Sequence, residues 1–399
     1  MLLRSMWIAC LAATLLPSPG RADSVGVKIG VLGDQSSVYA AAGGKGSVEA
    51  ATLAAEDAGL VLGKPVEIIS ADFQLKADIG VAIARKWYDE DNVDAIIDVP
   101  FSGLALAIEE MTKSRKKLAL FNAAASSELT GPKCSPYVAQ WTYDSYSLGH
   151  GLTSGLSSLG DNSWFFVTND TVFGSSLEKQ ALDGVKKAGG KVVGGVRTPT
   201  ATADFSSYLL QAQSSEAKAI GLVEAGGDLA TALKQSAEFG VSGHGHRVAA
   251  FMATIDAINS VGLRAAQGVY VAGAFYWDQN AETRAFATRF YARMHAMPTQ
   301  VQAAAYSAVN HYLNAVKALG SKDPDKVMAK MRDTPINDFM SHGARLRADG
   351  RVVRDLYLYQ VKSPADSKGP WDDYKFIAAI PGDKATRPLD QGGCPLAGY

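Results

Sequence analysis

An α/β architecture with two lobes of similar design is what this sequence predicts. Short β-branched runs alternate with longer segments of helical spacing, and that alternation runs twice along the chain. The strand runs are apolar at nearly every position, the mark of parallel sheets covered by helices on both faces.

The elements follow in order. VKIGVLG, VEIISAD, AIIDVP, LALFNAA, WFFVTND, KVVGGVR, AIGLVEA, RVAAFMA and GVYVAGAFYW read as buried strands. Between them, GSVEAATLAAEDAG places Val48, Ala51 and Ala55 on one helical face. VFGSSLEKQALDGVKKAGG does the same with Leu177, Ala181 and Val185, and Gly189-Gly190 stops it. Long helical patterns over 281–319 and a smaller one over 323–332 precede two late strand runs, RVVRDLYLYQVK and DDYKFIAAIPG. The expected division is lobe 1 from 23–143 plus 278–355, lobe 2 from 144–277 plus 356–385, and a C-terminal tail, 386–399. Loops at the carboxyl ends of the strands then face a common crevice.

Residues 1–22 read as a signal peptide. Arg4 supplies the positive end, Met6 to Leu16 the apolar run, and Gly20-Arg21-Ala22 a small-residue site with cleavage after Ala22. The mature chain is expected in the periplasm. Removing the leader takes away Arg4 and Arg21 and no acid, so the formal charge moves from −1 to −3. That balance does not suit nucleic acid or an anionic membrane as partner. Cys134 and Cys394 remain, an even pair in an oxidising compartment and both in turn-rich sequence. A disulfide tying the tail to the body is expected, two unpaired thiols being the alternative.

No enzyme signature survives inspection. In GGKGS, residues 43–47, Lys45 is followed by Gly46 rather than Ser or Thr, so the magnesium hydroxyl of a phosphate-binding loop is missing. Gly43 lies ten positions after Gly33, too far for a dinucleotide turn. There is no G-x-S-x-G, and His244-Gly245-His246 has no carboxylate or cysteine at ligand spacing. No metal and no cofactor are expected. The turn at 43–47 reads as the start of the first helix, with Gly46 or Ser47 near its cap. The loop before it, Gln35 to Tyr39, would rim the crevice.

Polar groups at strand-to-helix junctions remain. Ser102 opens SGLALAIEEM, Ser126 and Ser127 follow the strand LALF, and Gly226-Gly227-Asp228 stands at the same kind of junction in the second half. Each alone reads as a helix cap; three in register across two lobes point to a site.

Taken in order, GSVEAATLAAEDAG, AIIDVPFSGLALAI, NAAASSELTG, DTVFGSSL and EAGGDLATALKQSAEFGV resemble the leucine/isoleucine/valine-binding (type I) family of periplasmic solute receptors for ABC transporters. The resemblance covers essentially the whole mature chain. It implies a two-lobed periplasmic-binding-protein type I fold with a hinge, a monomer, a small-molecule ligand and membrane permease subunits as partners. The ligand carboxylate would meet Ser102, the backbone of Ala125, and Ser126, where threonine is more usual. Phe173, where tyrosine is common, would close over it, with Asp228 nearby. The acid that fixes an α-amino group in this family is not evident, because Phe251-Met252-Ala253 occupies its neighbourhood. AFYWDQNAETRAF and the closing GGCPLAGY look more like the subgroup that binds aromatic or other small organic acids. Tyr39, Trp141, Tyr143, Phe173 and Tyr276 would then supply an aromatic wall. A branched-chain amino acid or an amide such as urea is the alternative ligand, and a sensor that acts without transport the alternative role.

Overall fold

A computed structural model describes residues 26–398. The signal-peptide expectation lies outside the described residues. Strand–helix units open the chain: β1 (Val27–Gly33) and α1 (Gly44–Ala58), β2 (Val66–Asp72) and α2 (Ala77–Asp89), β3 (Ala95–Asp98) and α3 (Ser102–Arg115). Next come β4 (Leu118–Phe121), a 3-10 turn (Ser127–Thr130) and β5 (Val138–Gln140). These strands form one parallel sheet, ordered β2-β1-β3-β4-β5.

The second series is α4 (Ser145–Ser158), β6 (Ser163–Asn169), α5 (Val172–Lys187), β7 (Lys191–Thr198), α6 (Ser206–Gln213), β8 (Ala219–Ala225) and α7 (Gly226–Glu238). It continues with β9 (Arg247–Met252), two short helices, α8 (Ile255–Val261) and α9 (Leu263–Ala266), and β10 (Tyr270–Gly273). The chain then returns to the first lobe as α10 (Ala281–Met294), α11 (Gln300–Leu319) and α12 (Pro324–Asp333). A small antiparallel sheet follows: β11 (Ile336–Asp338), β12 (Ser341–Leu346) and β13 (Val352–Val353). Last come β14 (Leu356–Val361), β15 (Tyr374–Ile380) and α13 (Gly382–Ala385). The second sheet is ordered β15-β14-β10-β9-β8-β6-β7, parallel except for β14 and β15.

Burial explains the apolar runs. Every residue of β3, β4 and β6 is buried. Val27, Ile29 and Val31 face Ala50 and Ala54 of α1 and Val309 of α11; on the opposite side Leu32 and Ile96 meet Trp87 of α2 and Leu104 of α3.

Several elements depart from expectation. VEIISAD and KVVGGVR, expected as buried strands, fall in β2 and β7 at the edges of their sheets, and no residue of either run is fully buried. RVVRDLYLYQVK is not one strand: β13 and β14 belong to different sheets, and Arg354-Asp355 carries the chain between them. The helix α4 has no apolar periodicity strong enough to announce it, and its glycines lower helix propensity. They are there for contact. A Cβ on Gly149 would lie 2.8 Å from the Ala181 nitrogen of α5, and one on Gly151 2.7 Å from Leu356 Cδ2.

The chain passes between the sheets at 141–144, 274–280 and 354–355. Arg351, 2% exposed, sits at the first of these passages. Its Nη1 donates to the Gln140 carbonyl (3.1 Å), its Nη2 to the Thr142 carbonyl (3.5 Å), and its Nε lies 3.5 Å from Asp144 Oδ2. Asp144 in turn caps α4 by accepting the Ser147 N–H at 2.7 Å. Cys134 and Cys394 are bonded, with a Cα separation of 5.7 Å, so the tail is tied to the body.

Arg351→Ala would leave Asp144 buried without its cation. Urea unfolding should show a loss of about 3–5 kcal/mol, and Arg351→Met a smaller one. A loss below about 1 kcal/mol would show that Asp144 does not depend on it.

Candidate ligand-binding site

Loops leaving the carboxyl ends of both sheets meet between the lobes, where open α/β sheets place their ligands. From the first lobe come Tyr39 and Gly43 after β1, Pro100 after β3, and Ala123 and Ala125 after β4. From the second come Phe173 after β6, Ala225 and Gly226 at the end of β8, and Met252 and Thr254 at the end of β9. Tyr143 of the first passage and Val301 of α11 complete the wall of a narrow cleft that opens to solvent. No charged side chain lines it. An apolar wall with a few polar atoms suits a small organic molecule.

Each loop is pinned by a buried polar group. Asp34 accepts the N–H groups of Ser37 (3.0 Å) and Tyr39 (2.9 Å) and the Ser37 hydroxyl (2.6 Å), folding the loop that delivers Tyr39. Burial and the carboxylates of Asp228, Glu224 and Asp34 keep the Tyr39 phenol protonated, far above its ordinary pKa. The turn before Pro100 is strained: Asp98 and Val99 take φ of 76° and 56°, a region that a β-branched residue rarely enters. Asn122 holds it there, accepting the Asp98 N–H (2.8 Å) and donating to the Val301 carbonyl (3.0 Å). Burial pushes the Asp98 carboxyl up to about 7. Gln140 Nε2 donates to the carbonyls of Ala124 (3.0 Å) and Ser126 (3.1 Å), fixing the stretch after β4. Among the described residues, the N–H groups of Ala123, Ala124 and Ala125 make no hydrogen bond.

The residues singled out from sequence divide. Tyr39, Ala125 and Phe173 line the cavity together, as does Tyr143. Ser102 is the first residue of α3, with Phe101 at the cap position; its buried hydroxyl accepts the Ser126 N–H at 3.3 Å. Ser126 Oγ accepts the Glu128 N–H at 3.3 Å and caps the 3-10 turn. In this arrangement both hydroxyls serve the turn behind Ala125. Asp228 accepts the Ala201 N–H at 2.9 Å, and burial raises its pKa. Beside it, Glu224 takes hydrogen bonds from Thr198 (2.5 Å) and Asn169 (3.2 Å); burial above all, with Asp228 nearby, pushes its carboxyl up to about 8. Tyr276 belongs to a neighbouring aromatic cluster with Tyr359 and Tyr374, and its hydroxyl donates to the Trp371 carbonyl at 3.1 Å. Trp141 is core, donating to Ser307 Oγ at 2.9 Å.

Sequence reading passed over Pro100, Thr254 and Val301, and named Met252 only as standing where an acid for an α-amino group would be. Only Thr254 carried a usable signal, a hydroxyl placed between a strand and a helix; it is buried, with the Asp256 carboxyl beside it. The first helix starts at Gly44 with Gly43 as its cap, earlier than expected, and Lys45 is exposed. His246 binds the Ala217 and Gln213 carbonyls, and no group of three His, Cys, Asp or Glu among the described residues is placed to hold a metal.

The lobes touch across the cavity mouth. Gly227 N–H donates to the Val38 carbonyl at 2.8 Å. Gly226, at φ 56°, lies so near that a Cβ would come within 2.1 Å of the same oxygen, so only glycine fits. Ser127 N–H reaches Ser145 Oγ (3.0 Å) and Ser176 Oγ (3.3 Å) of the second lobe.

This fold and site define a two-lobed receptor for a small solute rather than an enzyme. The chain belongs to the periplasmic binding protein family, whose model matches residues 26–370. It is similar to a periplasmic binding protein from Burkholderia mallei, at 41% identity and TM-score 0.90 over 94% of this chain and 100% of that one. It is also similar to a branched chain amino acid ABC transporter periplasmic ligand-binding protein from Burkholderia xenovorans, at 43% identity and TM-score 0.85 over 93% and 100%. A solute-binding protein from R. palustris, solved with benzoate, shares the fold at 18% identity and TM-score 0.81 over 93% and 100%. Leu/Ile/Val-binding protein homolog 6 of Brucella abortus is 26% identical over 49% of this chain, and the chain spans about half the length of that curated relative. No helix among the described residues is long and apolar enough to cross a membrane.

Gly226→Ala should weaken ligand binding about tenfold or more in titration calorimetry while circular dichroism stays unchanged, because the methyl props the lobes apart. Wild-type affinity would mean that the Val38 contact does not control closure. The Glu224 carboxyl keeps its proton when folded up to about pH 8 but loses it in the unfolded chain near 4.5. Its contribution to stability is therefore present at low pH and lost as pH rises through that window. Glu224→Gln should match wild type in melting temperature at pH 5 and exceed it at pH 8.5; parallel curves would refute this.

Proposed function

We propose that the protein is an extracytoplasmic receptor that captures a small monocarboxylate, an aromatic acid in preference, by hinge closure and delivers it to the permease of an ABC importer. The observation that carries this reading is the cavity wall. It is apolar and aromatic, has no charged side chain, and includes Ala123 and Ala125, whose N–H groups make no hydrogen bond among the described residues. Such donors receive a carboxylate, with Ser102 and Ser126 behind them holding the turn in place. Tyr39, Tyr143 and Phe173 then enclose a ring. Closure follows because only the closed form offers contacts from both lobes, and the ligand shifts the population toward it.

A branched-chain amino acid is the second reading. The Burkholderia xenovorans relative and the nearby Glu224 and Asp228 favour it. Against it, both acids are engaged by Thr198, Asn169 and Ala201, and an ammonium in the cavity would lack a facing charge.

Calorimetry with benzoate, 4-hydroxybenzoate, leucine and urea separates the readings. Micromolar or tighter binding of a benzoate, lost about tenfold or more in Phe173→Ala, is the expected result. Binding of leucine with none of benzoate would overturn the aromatic choice.

A further inference from the structure

The C-terminal tail joins the two lobes a fourth time. Ala385, at the end of α13, lies in the second lobe's core beside Leu356 and Leu358. Gly382 of the same helix donates its N–H to Asp355 Oδ1 at 2.8 Å and packs on the Arg354 backbone. Two residues after Ala385 the chain is already on the first lobe. Arg387 Nη2 donates to the carbonyls of Ser127 and Thr130, both at 3.1 Å, and the Arg387 carbonyl accepts from Arg347 Nη1 at 2.8 Å. The tail then lies against Gly131, where a Cβ would stand 3.0 Å from the Gly392 oxygen, and is fastened there by the Cys134–Cys394 bond.

We infer that this strap limits how far the lobes open, and that Arg387 is a positioning residue for the ligand site. The turn it holds follows directly on Ala125 and Ser126, and Ser127 of that turn touches Ser145 and Ser176 across the cleft. A connection only two residues long between two packed bodies has little slack. The disulfide prevents the far end from peeling away and so removes widely open states from the unliganded ensemble. Fewer open states mean a smaller conformational cost of closure and tighter binding.

The strap itself does not depend on the aromatic-acid reading; only the affinity arm of its test does. The mature protein is compared with Arg387→Ala, Arg387→Lys and Cys134→Ser/Cys394→Ser by small-angle scattering, with and without saturating benzoate, and by calorimetry. Arg387→Ala and the double variant should show a larger radius of gyration without ligand, an unchanged one with it, and benzoate affinity weakened about tenfold. Arg387→Lys, which keeps one donor on the turn, should fall between. If the double variant does not fold, Arg387→Ala with the disulfide intact decides alone. A lowered melting temperature with unchanged unliganded radius would overturn the proposal and leave the tail a simple staple. Failure of benzoate to bind wild type would sink the ligand reading, and the unliganded radii would still decide the strap.

Discussion

The buried guanidinium of Arg351 fixes where the two sheets stand. It holds the carbonyls of Gln140 and Thr142 on one side of the first passage and faces Asp144 on the other, the residue that caps α4. A charge this deep is tolerated only with its partners in place. Gln140 also carries the segment from Ala124 to Ser126 on its amide. The hinge and the cavity floor are thus parts of one hydrogen-bonded corner.

From that corner the site is built by short polar tethers rather than by polar lining. Asp34 shapes the loop of Tyr39, Asn122 holds the strained Asp98-Val99 turn, and Thr198 and Asn169 occupy Glu224. Satisfying these groups behind the wall leaves the wall itself apolar. The raised pKa values of Asp98 and Glu224 are the cost of that arrangement, carboxyls kept from water by more than their hydrogen bonds offset. The lobes then meet through backbone and hydroxyl contacts, Val38 with Gly227 and Ser127 with Ser145 and Ser176. Such contacts are individually weak, which suits a joint that must open and close.

Much of the fold was legible because parallel strands buried on both faces have few polar residues, and those mainly at their ends; β3, β4 and β6 stand where the apolar runs lie. Where a residue's reason for being there is contact rather than periodicity, the sequence was silent. Gly149 and Gly151 of α4 look like helix breakers until Ala181 and Leu356 are seen against them. Arg354-Asp355 looks like the middle of a strand until the strand divides between two sheets.

By itself the sequence determined the α/β class, the twofold strand–helix series, the absence of nucleotide and metal motifs, and a cysteine pair able to close on itself. These depend on composition and on spacing along the chain, which are local. The tertiary structure decided which side chains share the cavity. Ser102 and Ser126 turn to the 3-10 turn, Asp228 turns to Ala201, and Met252, Thr254 and Val301 come into the wall. Those outcomes depend on how loops from two separately folded sheets are oriented by the hinge, and no spacing within one loop encodes that.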